Sequence, residues 1–99
     1  MKMTDELKGK LSSVERMIAS KYDLYEKQIK EADERRESVI ILEREAFLEG
    51  VERTVIWTLG SEAYNIIRDF IHDFESDYLE NEPLFDENGV LKDEYLLLW

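Results

Sequence analysis

The chain has 99 residues, 43% of them apolar, and a formal net charge of −11 at pH 7. This length fits a single domain that buries a core, and the lack of cysteine excludes disulfides, thiol catalysis and thiolate metal sites. The negative charge disfavours direct binding to nucleic acid or anionic lipid, because both require Lys or Arg to meet phosphate. Neither a signal peptide nor a membrane-spanning run is evident, so we expect a cytoplasmic protein.

Two elements are predicted in the first 60 residues. Apolar residues recur at helical spacing from Leu7 to Ala32 and predict a long N-terminal helix over residues 4–35. A second helix is predicted over residues 38–59, with apolar residues on more than one face, and we expect Trp57 to be buried in it. The polar segment 33–38 between them fits either a turn or a continuous helix that crosses solvent.

The last 40 residues predict two further helices. Gly60 is expected to end the second helix and Ser61 to cap a third over residues 62–80. Asn88-Gly89 predicts a turn within residues 81–91, and a short helix is expected over residues 92–98. The sequence therefore predicts one all-α domain over residues 1–99, a helical bundle or hairpin. The segment 39–42 is apolar on more sides than one neighbouring helix covers, which also allows a homodimer.

Catalytic residues are not expected. His72 is the only histidine, and Asp69, His72 and Ser76 share one helix face, as an acid, a base and a nucleophile would. Such side chains stack along a helix instead of converging on one atom, and mid-helix N–H groups cannot form an oxyanion hole. A metal site of Asp69, His72 and Asp73 would lack the second histidine of bundle di-metal centres. We therefore expect no enzymatic activity, no cofactor and no metal ion.

Two other carboxylate patterns are weaker than they first look. The turn at residues 86–89 would place Leu84 and Tyr95 at positions of a calcium loop that must supply oxygen. Glu31-x-x-Glu34 and Glu49-x-x-Glu52 resemble the paired magnesium ligands of all-helical nucleotide pyrophosphatases. The second motif lacks the final Asp of that family, and no phosphate-binding Lys or Arg is evident nearby. Solvated helix faces explain these glutamates better.

The acidic residues are concentrated in the last third of the chain. Residues 1–30 carry seven basic and five acidic residues, whereas residues 61–99 carry two basic and eleven acidic ones. A row with four-residue steps would place carboxylates about 6 Å apart, similar in order to the phosphates of a nucleic-acid strand. The residues predicted to face a partner are Asp69, Asp73, Asp77 and Glu80, with Glu62, Glu75, Asp86 and Glu87 nearby.

The C-terminal residues are unusually apolar. Tyr95, Leu98 and Trp99 are the remaining predicted partner-binding residues, in the terminal segment Tyr-Leu-Leu-Leu-Trp. Chain ends are commonly polar and frayed, so this segment has some packing role. The sequence leaves open whether it closes the domain's own core or docks into a partner or second subunit.

The sequence favours a non-enzymatic interaction protein that inhibits a basic nucleic-acid-binding protein by mimicking nucleic acid. In size and charge the chain resembles small acidic inhibitors of nucleases and defence complexes from phages and mobile elements, anti-CRISPR proteins included. That resemblance implies action in the host cytoplasm. The alternative is a helical dimerisation or assembly module in which the acidic face only increases solubility.

Overall fold

The computed structural model of the protein describes residues 4–80 and 84–96. Its elements are α1 (Asp5–Glu31), α2 (Glu34–Leu59), α3 (Ser61–Leu79) and a short 3-10 helix (Asp93–Tyr95). Each of the three α-helices packs against the other two, and two-residue and one-residue connections join them. The predicted all-α bundle is confirmed.

The boundary between α1 and α2 lies earlier than the sequence predicted. α1 ends at Glu31, and Ala32 and Asp33 are extended. The Asp33 carboxylate accepts a hydrogen bond of 2.9 Å from the Arg36 backbone N–H, which is the geometry of a helix N-cap. The predicted bounds 4–35 and 38–59 were therefore wrong here, because Asp33 starts a new helix. The polar segment is a cap followed by the first turn of α2.

Gly60 separates α2 from α3, as predicted. Its φ of 92° lies in a region that residues with a side chain rarely adopt, so the chain can turn sharply there. The predicted cap at Ser61 was wrong. Ser61 is already the first residue of α3, Gly60 is the N-cap, and no side chain caps this helix end.

The segment 84–96 folds back onto the bundle. Phe85 and Leu91 form an isolated antiparallel bridge around a turn in which Gly89 has a φ of 78°. The predicted turn is confirmed, but the predicted helix over residues 92–98 is only a 3-10 turn at 93–95, after which Leu96 is extended. Residues 97 and 98 lie outside the described part of the chain.

The core lies between α1, α3 and the C-terminal segment. Of the buried residues in this core cluster, α2 contributes Leu48 and Val55. The others come from α1, α3 and the C-terminal segment: Leu11, Ile18, Ala19, Tyr22, Ala63, Ile67, Phe70, Ile71, Phe74, Leu84, Leu91 and Leu96. The expectation that Trp57 is buried was wrong, since its side chain is 88% exposed. α2 is apolar around most of its circumference, so its pattern did not indicate which side would face the core.

Candidate acidic interface

The predicted carboxylate row forms one surface of α3. At 3.6 residues per turn, Asp69, Asp73, Asp77 and Glu80 fall within an arc of about 80° and follow one another at about 5–6 Å along the axis. Asp77 is half-buried and the other three are exposed. Glu62 is exposed in the first turn of α3 and lies on the same side. Together these five residues form what we call the acidic face.

The basic residues that form ion pairs do so with carboxylates outside the four-residue row on α3. The ion pairs between described residues are Lys10–Glu6, Lys27–Asp23, Arg44–Glu26, Arg53–Glu49 and Arg16–Asp93. None of them includes Asp69, Asp73, Asp77 or Glu80. Arg68 is the only basic residue of α3, and its guanidinium lies over the Tyr64 ring at 5.6 Å. Within the described residues, no cation neutralises the four-residue row.

The C-terminal end of α3 is an unfavourable place for negative charge. Its last turn contains no basic residue, and Asp77 and Glu80 lie at or beside its end. The peptide dipoles of a helix leave partial negative charge there, which repels carboxylates. By contrast, the acidic residues in the first turns of α1 and α2 lie at the favourable end of their helices.

Glu75 does not belong to the acidic face. It lies about 160° around α3 from Asp73, is half-buried and faces α1. Burial raises the pKa of Tyr22 on α1, Arg44 opposes this shift, and the negative charge of Glu75 adds to it. The structure therefore separates Glu75 from the row with which the sequence grouped it.

Asp86 and Glu87 lie in the turn after α3. The Asp86 carboxylate accepts hydrogen bonds from the backbone N–H groups of Asn88 and Val90, at 2.9 and 3.0 Å. This side chain therefore holds the turn as well as carrying charge. Glu87 is exposed at the tip.

Tyr95, the first residue of the predicted C-terminal anchor, is half-buried against the core, and the adjacent Leu96 is buried in it. Asp93, two residues before Tyr95, forms an ion pair with Arg16, and this pair joins the C-terminal segment to α1. These contacts agree with a packing role in the chain's own core for residues 95 and 96. Leu98 and Trp99 lie outside the described residues.

The alternative chemical sites are not assembled. His72 is exposed at mid-helix, and no hydrogen bond between described residues joins it to Asp69 or Ser76. Glu31 and Glu34 flank the α1–α2 turn, whereas Glu49 lies about 22 Å further along α2 and pairs with Arg53. Nowhere in residues 4–80 and 84–96 do three His, Asp or Glu side chains converge in a way that could hold a metal ion.

The sequence analysis missed two polar features of the interior. Glu15 has no exposed surface. The spacing of the sequence could have indicated this, because Glu15 lies four residues after Leu11 and three before Ile18, on the apolar side of α1.

The Tyr78 hydroxyl donates a hydrogen bond of 2.9 Å to Asp23, and burial together with this bond raises the pKa of Tyr78 above its usual value. Close by, the Arg44 guanidinium lies 4.8 Å from the centre of the Tyr22 ring. For the Tyr78 bond, a tyrosine in an apolar stripe is the only hint that the sequence gives.

Comparisons with protein-family models, with curated proteins and with solved structures return no match for this chain. No helix in the described part of the chain is long and apolar enough to cross a membrane. The functional argument therefore rests on the geometry and charge of the acidic face.

Proposed function

We propose that this protein is a non-enzymatic inhibitor that binds the basic groove of a nucleic-acid-binding protein. The acidic face of α3 takes the place of the phosphate backbone in that groove. Small size and high negative charge suit an inhibitor of a nuclease or defence complex that acts in a host cytoplasm, as phages and mobile elements encode.

The observation that carries the proposal is the concentration of unpaired carboxylates toward the C-terminal end of α3. Three neighbouring pairs of like charge, at spacings of three or four residues, each cost a few tenths of a kcal/mol. The helix dipole adds an unfavourable contribution at Asp77 and Glu80. A face that only increases solubility usually mixes charges of both signs, so this arrangement sacrifices stability for a uniform negative field. Binding to a basic surface is the benefit that offsets this cost.

The dimensions of the acidic face set what it can cover. From Glu62 to Glu80 it extends about 27 Å along the helix axis, with an axial charge spacing of about 6 Å in the Asp69–Glu80 row. One strand of duplex DNA carries a charge about every 3.4 Å, so the row has a lower charge density than a strand. We therefore expect the interface to use the turn that carries Asp86 and Glu87 as a second group of charges.

The test is affinity for the partner captured from the native host by pull-down. The row variant combines Asp69→Asn, Asp73→Asn, Asp77→Asn and Glu80→Gln, and each change removes a charge at nearly constant shape. A matched control removes four exposed charges elsewhere, through Asp5→Asn, Glu31→Gln, Glu34→Gln and Glu45→Gln. Both variants have the same net charge, so a difference between them reports the position of the charge.

We expect the row variant to lose several kcal/mol of binding free energy, mainly through slower association, and to show a flatter dependence on salt. The control should keep most of the affinity. Equal affinities of the two variants would show that only total charge matters, and the acidic face would then be no more than a solvated surface.

The alternative is a helical assembly module, and one observation favours it. α2 exposes Trp57, Leu42 and Val39 at 88%, 64% and 53%, which is unusual for a solvated helix. If assembly were the function, the captured partner would be another copy or another apolar surface, and binding would change little with salt.

A further inference from the structure

The tip of the turn after α3 is an asparagine followed by a glycine. Asn88 and Gly89 are both exposed, and Gly89 has a φ of 78°. The Asn88 backbone N–H donates a hydrogen bond to Asp86, but no hydrogen bond between described residues involves the Asn88 side-chain amide. This amide is therefore free to rotate and open to water. Neither the core nor the acidic face of α3 uses it.

The two residues can react with each other. Hydroxide removes the proton of the Gly89 backbone N–H, and the nitrogen attacks Cγ of Asn88. A bond forms between these two atoms, the bond from Cγ to Nδ2 breaks, and Nδ2 takes a proton from water and leaves as ammonia. Glycine has no Cβ atom to hinder the attack. Water then opens the cyclic imide, either at Cγ, which gives aspartate, or at the main-chain carbonyl, which gives isoaspartate.

We propose that Asn88 is a site of spontaneous deamidation in the folded protein, that the reaction occurs while the tip of the turn is open, and that Asp86 sets its rate. In the closed turn the Gly89 N–H donates a hydrogen bond of 3.0 Å to the Asp86 carbonyl oxygen. A nitrogen held in this way neither loses its proton readily nor moves toward Cγ. Opening of the turn frees it, as opening frees an amide for hydrogen exchange.

Asp86 is the residue that holds the tip closed. Its carboxylate accepts the hydrogen bonds from Asn88 and Val90 described above, and its own N–H donates a bond of 2.8 Å to the Val90 carbonyl oxygen. Hydrogen bonds to a carboxylate are stronger than those between neutral groups. The negative charge of Asp86 also disfavours removal of a proton from the nearby Gly89 nitrogen. Asp86 is thus a positioning residue that slows the reaction.

The opening can remain local because the ends of the turn are held in place. Leu84 and Leu91 are buried in the core, and Phe85 and Leu91 form the antiparallel bridge. The residues between them, 86–90, are all exposed. Segments with few buried contacts open at a lower free energy than the core. The bundle therefore stays folded while Asn88 reacts.

Deamidation changes the charge of the turn. The product carboxylate lies next to Glu87 and two residues from Asp86, so the tip gains a third negative charge. If the turn supplies the second group of charges at the partner's basic groove, conversion should strengthen binding and steepen its dependence on salt. This consequence rests on the proposed function, whereas the site and its control by Asp86 do not.

The test is mass spectrometry of peptides from the intact chain after incubation at neutral and at mildly alkaline pH. We expect the Asn88 peptide to show the mass change of an amide-to-acid conversion, and to convert faster at the higher pH. Asn65 is the internal control. It is exposed, but the next N–H belongs to Ile66 inside α3, where helix hydrogen bonds hold it. Asn88→Gln should not convert, because its longer side chain would have to form a larger ring.

Two variants at Asp86 separate its hydrogen bonds from its charge. Asp86→Ala removes both and should raise the rate at Asn88 on the order of tenfold or more. Asp86→Asn keeps an acceptor oxygen and removes the charge, so its rate should lie between those of Asp86→Ala and the parent. Hydrogen exchange of the Gly89 N–H should rise in the same order. Helical circular dichroism should not change, because Asp86 is exposed.

Either of two results would overturn the proposal. Asn88 could remain an amide in the folded chain while the same chain unfolded in guanidinium chloride converts, or Asp86→Ala could convert no faster than the parent. The consequence for binding is tested separately with Asn88→Asp, which carries the product charge, and Asn88→Gln, which cannot acquire it. If Asn88 converts but these two variants bind the captured partner equally well, the modification site stands and the role of the turn in binding is wrong.

Discussion

The Tyr78 hydroxyl on α3 donates a hydrogen bond of 2.9 Å to the Asp23 carboxylate on α1. The Tyr78 ring packs edge-on against Tyr22 at 5.3 Å between centroids, so aromatic contact and hydrogen bond act at the same place. Asp23 also pairs with Lys27, which keeps the carboxylate oriented along α1. This contact fixes the C-terminal half of α3, and with it the acidic face, against the bundle.

Tyr78→Phe removes the hydroxyl and keeps the ring. We expect a loss of about 1–2 kcal/mol in unfolding free energy, since the acceptor is a charged carboxylate. Urea denaturation measures it. Tyr25→Phe is the control, because the Tyr25 ring packs near Phe47 and its hydroxyl forms no hydrogen bond to another described residue. Equal losses in the two variants would mean that the Asp23 bond contributes nothing.

Alkaline pH should weaken the same contact. The pKa of Tyr78 is raised in the folded protein by burial and by the Asp23 bond, so the unfolded chain loses its proton first. The stability that protonated Tyr78 contributes is fully present below the ordinary tyrosine pKa of 10.0. It is lost as pH rises from there toward the pKa of Tyr78 in the folded protein. Unfolding free energy should therefore fall above about pH 10. The unfolding free energy of Tyr78→Phe should fall less steeply with pH than that of the parent. If the two fall in parallel, Tyr78 is excluded as the cause.

Trp57 tests the orientation of α2, and Phe70 on α3 serves as the reference for a buried aromatic residue. Phe70 is 1% exposed, and Phe70→Ala should cost about 3–5 kcal/mol. Trp57→Ala should change stability by less than about 0.5 kcal/mol at concentrations where the chain is monomeric, because its side chain has few contacts to lose. Thermal and urea unfolding measure both. A loss above about 2 kcal/mol for Trp57→Ala in the monomer would place this indole in the core.

Periodicity and turn residues predicted the positions of some elements, but not the contacts between them. The Leu7–Ala32 pattern has one apolar stripe, so periodicity located α1, and Gly60 and Asn88-Gly89 marked turns through local backbone preference. The acidic face was predictable because spacing on one helix determines it. The orientation of α2 was not, because apolar residues surround it and only tertiary packing selects a side. The Tyr78–Asp23 bond joins residues 55 apart, and no periodic pattern reports such a pair.

Substitutions at Asp33 and Ser61 test which of these two residues caps a helix with its side chain. Asp33→Ala removes the side-chain acceptor at the start of α2 and should cost about 1 kcal/mol. Ser61→Ala should be neutral or slightly stabilising, because the Ser61 side chain caps nothing and alanine favours helix. Chemical denaturation of the two variants gives the comparison. A larger loss for Ser61→Ala than for Asp33→Ala would restore the boundary that the sequence predicted.

Neutralising the acidic row should stabilise the isolated protein. The row variant removes the like-charge pairs Asp69–Asp73, Asp73–Asp77 and Asp77–Glu80. Each such pair costs about 0.2–0.5 kcal/mol on a helix surface. It also removes Asp77 and Glu80 from the negative end of the α3 dipole, where a carboxylate costs a few tenths of a kcal/mol or more. We expect a gain of about 1–2 kcal/mol in unfolding free energy at low salt.

The control variant at Asp5, Glu31, Glu34 and Glu45 reduces the net negative charge by the same amount. Its unfolding free energy should rise by less than that of the row variant. Asp5 and Glu34 lie in the first turns of α1 and α2, where the dipole favours carboxylates and their removal is unfavourable. Denaturation at low and high salt separates the two variants, because screening should shrink the gain of the row variant. Equal gains would mean that total charge, not its position on α3, sets the cost. If the row variant is instead less stable than the parent, its carboxylates support the fold, and the argument that they are kept for binding fails.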